Sequence, residues 1–264
     1  NTITYIGSYV FANTALTSIT IPSNITTIAS TAFSGITTLL TVVMNNNNVV
    51  FGTVFSGITS ITTVTFDFAG TIPANSCQDI TNLTSVTIGN TVTSIGNLAF
   101  KGCTGITSLT LTPTSPLEEI GQEAFDGCTG LTGQFTIPDT VTTIGQSGFQ
   151  STNISEFVFG VNSQLTTIND NAFQSISTLT TFSMPNTVTT MGIQLFNQCI
   201  SLSSVDITTH SSVTTLGTNM FVNTALTSIT IPSNITTIGT NAFKQSGLTS
   251  ISIPDTVTSI GDSA

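Results

Sequence analysis

Residues 221–243 read FVNTALTSITIPSNITTIGTNAF, and this stretch contains more than one periodicity. Leu226, Ile229 and Ile231 follow the spacing L-x-x-L-x-L, with the last two alternating as in a strand. Pro232 ends that strand because proline cannot donate to a ladder. Ile235 and Ile238 bracket Thr236-Thr237 in a second short extended segment, closed by Gly239, where a sharp turn costs little. The following TNAFKQSG, residues 240–247, reads as a turn or a single helical turn that buries Ala242 and Phe243.

The unit recurs in both directions. Anchors fall at Phe11, Phe33, Phe55, Cys77, Phe100, Phe125, Phe149, Phe173, Phe196, Phe221 and Phe243, always 22 to 25 residues apart. Five residues before each anchor stands an aliphatic residue or Met, and Ile260-Gly261 announces a further unit. A period in the twenties means a solenoid whose core grows unit by unit, since one such unit cannot bury its apolar edge alone. We therefore expect a single repeat domain over residues 1–264, uncapped at both ends and part of a longer chain. The ten Phe anchors should stack into a structural spine, and truncating an interior one such as Phe149 should cost about 3–5 kcal/mol.

Composition narrows the function. Charged residues make up 5% of the 264, with Lys101 and Lys244 the only cations and a net charge of −10. Neutralising a phosphate backbone needs several Lys or Arg, so nucleic acid is excluded as a partner. No run approaches the roughly 18 apolar residues of a membrane span, so no membrane insertion is expected within this segment. Ser and Thr supply 87 residues, a surface suited to solubility through hydroxyls outside the cell. Cys103, Cys128 and Cys199 all sit three residues after a Phe anchor, which favours a buried apolar role. A Cys103–Cys128 disulfide is the alternative, and the spacings form no zinc motif.

With units such as TSVTIGNTVTSIGNLAFKGC (residues 84–103), the chain resembles the BspA-like, or Treponema-type, leucine-rich repeats, whose units read LTSITIPxxVTxIGxxAFxxC. The resemblance covers the whole chain and is weakest over residues 45–80, where Asn45–Asn48 and Cys77 break the pattern. It implies a mainly β, right-handed leucine-rich-repeat solenoid of about twelve units with short strands and single helical turns. It also implies a protein on the surface of a host-associated bacterium or parasitic protist, linked to adhesion and to binding of host matrix proteins.

The register indicates which side chains face outward. On the first strand the exposed pairs run from Ser18/Thr20 to Ser250/Ser252, and Glu156, Val158 and Asp206 interrupt a ladder of mostly hydroxyls as a possible contact face. The second segment carries a double column, Thr142-Thr143, Thr166-Thr167, Thr189-Thr190, Thr214-Thr215 and Thr236-Thr237, with a break at Asn48-Val49 among others. Thr suits strand surfaces, and Thr-Thr cross-strand pairs support a sheet. Residues 11–30 match residues 221–240 at 17 of 20 positions, a near-duplication nine units apart.

Chemistry-bearing residues are few. Sequons occur at Asn24, Asn82, Asn153 and Asn234, all in expected turns, as possible N-glycosylation sites. Glu118, Glu119, Glu123 and Asp126 form the densest acidic patch without the spacing of a calcium loop. His210, the only histidine, falls in an expected surface turn, and no base stands ready to activate the many hydroxyls. We expect no catalytic residue, no cofactor and no metal, hence no enzyme. The leading expectation is an extracellular structural or adhesive protein whose Ser/Thr-rich sheets assemble with copies of itself into filaments or layers. A host-protein or glycan-binding adhesin is the first alternative, and an ice-binding surface the second.

Overall fold

The computed structural model describes residues 3–55, 57–111, 115–208 and 212–264, so His210 lies outside the described residues. The chain divides into two compact units, residues 1–131 and residues 132–264. Both are built from short parallel strands stacked rung on rung.

The first unit holds β1 (Tyr5–Ile6), β2 (Ser18–Ile21), β3 (Thr27–Ile28) and β4 (Thr41–Met44). It continues with α1 (Phe51–Phe55), β5 (Thr63–Phe66), β6 (Gly70–Ile72), β7 (Ser85–Ile88), β8 (Val92–Ile95), β9 (Ser108–Leu111) and β10 (Glu119–Ile120). One wall runs β2-β4-β5-β7-β9 and another pairs β6 with β8 and β8 with β10. In the first wall Ile19, Val42, Val64, Val86 and Leu109 share one row, and Ile21, Met44, Phe66, Ile88 and Leu111 share another. Both rows face inward because side chains two apart on a strand share a face.

The second unit holds β11 (Thr132–Ile137), β12 (Thr143–Ile144), β13 (Asn153–Phe159), β14 (Thr167–Ile168) and β15 (Thr181–Ser183). It ends with β16 (Thr190–Met191), β17 (Ser204–Asp206), β18 (Thr215–Leu216), β19 (Thr237–Ile238) and β20 (Ser259–Ile260). Its walls are β11-β13-β15-β17, β12-β14-β16 and β18-β19-β20, all parallel.

The anchor segment corrects one expectation. Apart from α1 it is a turn, not a helical turn, in the described rungs. Positive φ recurs two residues before and two after the anchor, as at Asn219 (56°) and Asn223 (54°) around Phe221, or Leu98 (56°) and Gly102 (70°) around Phe100. A right-handed helical turn cannot contain left-handed residues at that spacing, and Asn and Gly are among the residues that tolerate them best. The alternation turns N–H groups toward the next rung. Asn219, Phe221 and Asn223 donate to the carbonyls of Thr240, Ala242 and Lys244 at 2.8–3.0 Å.

The Phe rings stack as the spacing demands. In the second unit Phe149, Phe173, Phe196, Phe221 and Phe243 follow one another at 5.6–6.3 Å, their rings nearly parallel. In the first, Phe11 stacks on Phe33 at 5.1 Å, Phe55 lies tilted against Phe33 at 4.9 Å, and Phe100 stacks on Phe125 at 5.4 Å. Cys77 would leave a gap. Phe66, from strand β5, fills it, lying 6.4 Å from Phe51 and 5.8 Å from Phe100.

Candidate functional site

The outward face of β11-β13-β15-β17 departs from the hydroxyl pattern. Gln134 pairs with Glu156, Glu156 with Thr181 and Thr181 with Ser204, which forms one outward row. Thr136 pairs with Val158 and Ser183 with Asp206 two residues farther along the same strands. Glu156, Val158 and Asp206 therefore share one face, as the alternation demanded. Their roles differ. Glu156 is exposed and its Oε2 accepts from Gln134 Nε2 at 3.1 Å. Asp206 Oδ1 is occupied at the strand end, accepting from Thr208 N at 2.9 Å and Thr208 Oγ1 at 2.7 Å, an Asx-type turn.

At the C-terminal ends of β13 and β15 the face falls into a groove of about 460 Å³. Five residues, 160–164, connect Phe159 to Leu165, whereas three, Pro185 to Thr187, connect Met184 to Val188. The longer connection stands beside the shorter one and the space between them is open. Val161 is fully exposed on the longer connection, and Phe159, half-buried, meets Phe182 edge-on at 5.6 Å. The sequence reading missed this feature, although its signal, two extra residues with no proline after the strand, is plain in the letters.

The hydroxyl ranks are partly consumed by the fold. In several of the pairs the first Thr turns back along the stack: Thr166 Oγ1 donates to Thr142 O, Thr189 to Thr166 O, Thr236 to Thr214 O and Thr258 to Thr236 O, at 3.2–3.3 Å. The residue before the first strand behaves alike, Thr84 donating to Thr62 O at 3.1 Å and Ser203 to Thr180 O at 3.2 Å. Each of these carbonyls already accepts a backbone N–H from the next rung, as Thr142 O does from Thr166 N at 3.0 Å, so the hydroxyl adds a second bond between the same two rungs. At the expected break Asn48-Val49, Val49 is buried instead of exposed.

The sequons also carry structure. Asn24 and Asn234 lie in turns, and each Nδ2 donates to a carbonyl one rung back, that of Ile3 and of Val213. Thr187 and Thr256 make the same bond from the same place, to Leu165 O at 2.7 Å and Ile235 O at 3.0 Å. Asn82 Nδ2 donates to Thr59 O at 2.9 Å. Asn153 is not in a turn. It opens β13 and pairs with Thr132, because β11 is also lengthened, to six residues against seven, and offers it a partner.

All four thiols are free and buried. Cys103 Sγ donates to Cys77 O at 2.8 Å, Cys128 Sγ to Phe100 O at 3.0 Å and Cys199 Sγ to Phe173 O at 3.1 Å, so each reaches the anchor carbonyl of the rung before. Desolvation pushes the Cys103 and Cys199 thiols up to about 12 and raises Cys77 and Cys128 as well, so no reactive thiolate is at hand.

The acidic patch has a partner the sequence reading did not assign. Lys101 sits between Glu123 and Asp126, bonded to the first and 3.1 Å from Asp126 Oδ2. Among the described residues no group of three or more His, Cys, Asp or Glu is placed to hold a metal ion, and no helix is long and apolar enough to cross a membrane.

Comparison with solved structures shows the same fold at low sequence identity. A leucine-rich repeat protein from Bacteroides ovatus aligns with a TM-score of 0.54 at 20% identity, over 77% of this chain and 72% of that one. A leucine rich cell surface protein from Faecalibacterium prausnitzii aligns at 0.56 and 23%, over 93% of this chain and 65% of that one. The pneumococcal vaccine antigen PcpA aligns at 0.50 and 17%, over 98% and 71%. This chain thus spans about two thirds of the length of these proteins. No curated protein matches it in sequence. The profile of the BspA type leucine rich repeat region matches residues 1–75, 70–202 and 160–264, leaving no part uncovered. The Phe anchors, the parallel rungs and this match agree: the chain belongs to the BspA-type leucine-rich repeat family.

Proposed function

We propose that this chain is a non-catalytic repeat protein displayed on a bacterial surface, where it works by contact with another macromolecule through its outward sheet face. The single observation that carries this reading is the face of β11-β13-β15-β17. There Gln134, Glu156 and Val158 replace hydroxyls on a rigid parallel sheet, and a groove opens beside them. Rigid display of unlike side chains is what selective contact needs, because residues already held in place lose little entropy on binding. The cell-surface protein of Faecalibacterium prausnitzii, similar in fold, supports the placement. Buried thiols of raised pKa, and hydroxyls that donate to carbonyls, support the non-catalytic part.

A second reading, self-assembly through the threonine columns, is favoured by one observation: Thr215, Thr237 and Ser259 stand in register on successive strands. One experiment separates the two. Purified protein is passed over immobilised extracellular matrix proteins and a glycan array while its mass is followed by light scattering. Saturable binding at constant monomer mass is the expected result. Mass that climbs with concentration, without binding, would replace contact by self-assembly. Thermal hysteresis in the same preparation would favour an ice-binding surface.

A further inference from the structure

The groove beside β13 and β15 deepens that reading, on which this inference rests, because its walls differ in chemistry. One wall is apolar: Val158 on the sheet, Val161 on the long connection, and Met184 with Pro185 on the short one. Val161 is the telling residue, since a fully exposed aliphatic side chain on a raised connection contributes nothing to the core. The polar part of the lining carries one charge, Glu156 on the sheet face, with Ser163, Ser183 and Asn186. No cation answers it from within. The chain has only Lys101 and Lys244, and Lys101 is tied to Glu123 and Asp126.

We propose that this groove is the docking site for an extended segment of a partner protein that presents a Lys or Arg beside an aliphatic side chain. The cation meets Glu156, whose carboxylate accepts one bond from Gln134 and has acceptor positions to spare. The aliphatic side chain covers Val158 and Val161 and takes them out of water. Charge complementarity selects this occupant over a second copy, because a chain of net charge −10 repels itself. It also selects a peptide over a neutral glycan, since a sugar without an amino group brings no cation to Glu156.

The test uses the whole 264-residue chain and an array of immobilised octapeptides in which Val alternates with Lys, Arg, Gln or Glu. Retention on the Lys and Arg peptides, falling as salt rises, is expected, with none on the Glu peptides. Glu156→Gln should weaken that retention about tenfold, the scale of a lost charge-assisted hydrogen bond. Val161→Ser should weaken it several-fold, while Asp255→Asn, an equal change of charge on an exposed residue far along the chain, should leave it intact. All three positions are exposed or on a turn, so circular dichroism should show an unchanged fold. Equal retention on Lys and Gln peptides, or equal losses from Glu156→Gln and Asp255→Asn, would overturn the proposal. If matrix or glycan binding persists through Glu156→Gln and Val161→Ser, the groove assignment fails while contact as the function stands. Absence of binding to every matrix protein, glycan and peptide removes both.

Discussion

Residues 16–28 and 226–238 are the same thirteen letters, LTSITIPSNITTI, and they fold differently. In the first copy Ser18–Ile21 is strand β2, paired residue for residue with Thr41–Met44. In the second copy Ser228–Ile231 belongs to no strand. Yet the inward residues behave alike: Ile21 and Ile231, Ile25 and Ile235, Ile28 and Ile238 are buried in both. The second half is a strand in each, β3 and β19. A rung's own sequence therefore sets which side chains enter the core, and the neighbouring rung decides whether its backbone joins a ladder. Before the second copy, β17 ends in the Asx-type turn at Asp206.

The largest effect that could break this comparison lies in the anchors that open the two copies. Phe221 is fully buried between Phe196 and Phe243, whereas Phe11 is half-buried and stacks on Phe33. Phe221→Ala should cost about 3–5 kcal/mol and Phe11→Ala under about 2 kcal/mol, read from urea unfolding. Equal costs would show that position in the stack does not matter.

Next comes the ladder itself. Leu40 N and Asn45 N donate to Thr17 O and Ile21 O at 2.9 and 3.0 Å, locking the rung after the first copy. Residues 40–45 should exchange amide hydrogen about tenfold more slowly than residues 249–253, which follow the second copy outside any strand. Similar protection in the two segments would mean that the second copy is laddered after all.

A smaller difference runs the other way. Thr14 and Thr224 both donate to their own anchor carbonyl, Phe11 O at 2.8 Å and Phe221 O at 3.0 Å, but Thr14 is exposed and Thr224 buried. Thr224→Val should cost about 1 kcal/mol, while Thr14→Val should stay within about 0.5 kcal/mol. Matching values would sever burial from hydrogen-bond worth in these turns.

Smallest is the side-chain link between rungs at Lys101. The bond from Lys101, and then that from Gln122, holds the Glu123 carboxyl below its usual 4.5. A lowered carboxyl stabilises the fold above about pH 4.5, and that stability is lost as pH falls through the lowered value. Lys101, raised above 10.5 by its bonds to Glu123 and then Asp126, keeps its contribution below pH 10.5 and loses it as pH rises beyond. Glu123→Gln should therefore cost no more than about 1 kcal/mol at neutral pH after solvent screening, and progressively less as pH falls through the lowered value. A larger loss, or one that persists in acid, would make the side chains rather than the ladders the ties between rungs.

Much of this was legible. The spacing of the Phe anchors gave their stacking, and the alternation around Glu156, Val158 and Asp206 placed them on one face. Other features were not, because each depends on a residue that the fold, and not the local pattern, brings near. Phe66 fills the gap left by Cys77, Lys101 pairs with Glu123, and the sequon amide of Asn234 is bonded to Val213. The left-handed residues beside each anchor escaped notice for another reason: Leu98, Glu123 and Gln194 are not residues that announce positive φ.

By itself the sequence determined the repeat, its inward columns and its family, since hydrophobic periodicity and the cost of leaving Phe and Ile in water act within one unit. Only the tertiary structure decided which identical segments become strands, which hydroxyls and amides are already bonded, and where a groove opens. Those outcomes depend on the length and register of the adjacent rung, because a parallel ladder exists only where two backbones run side by side.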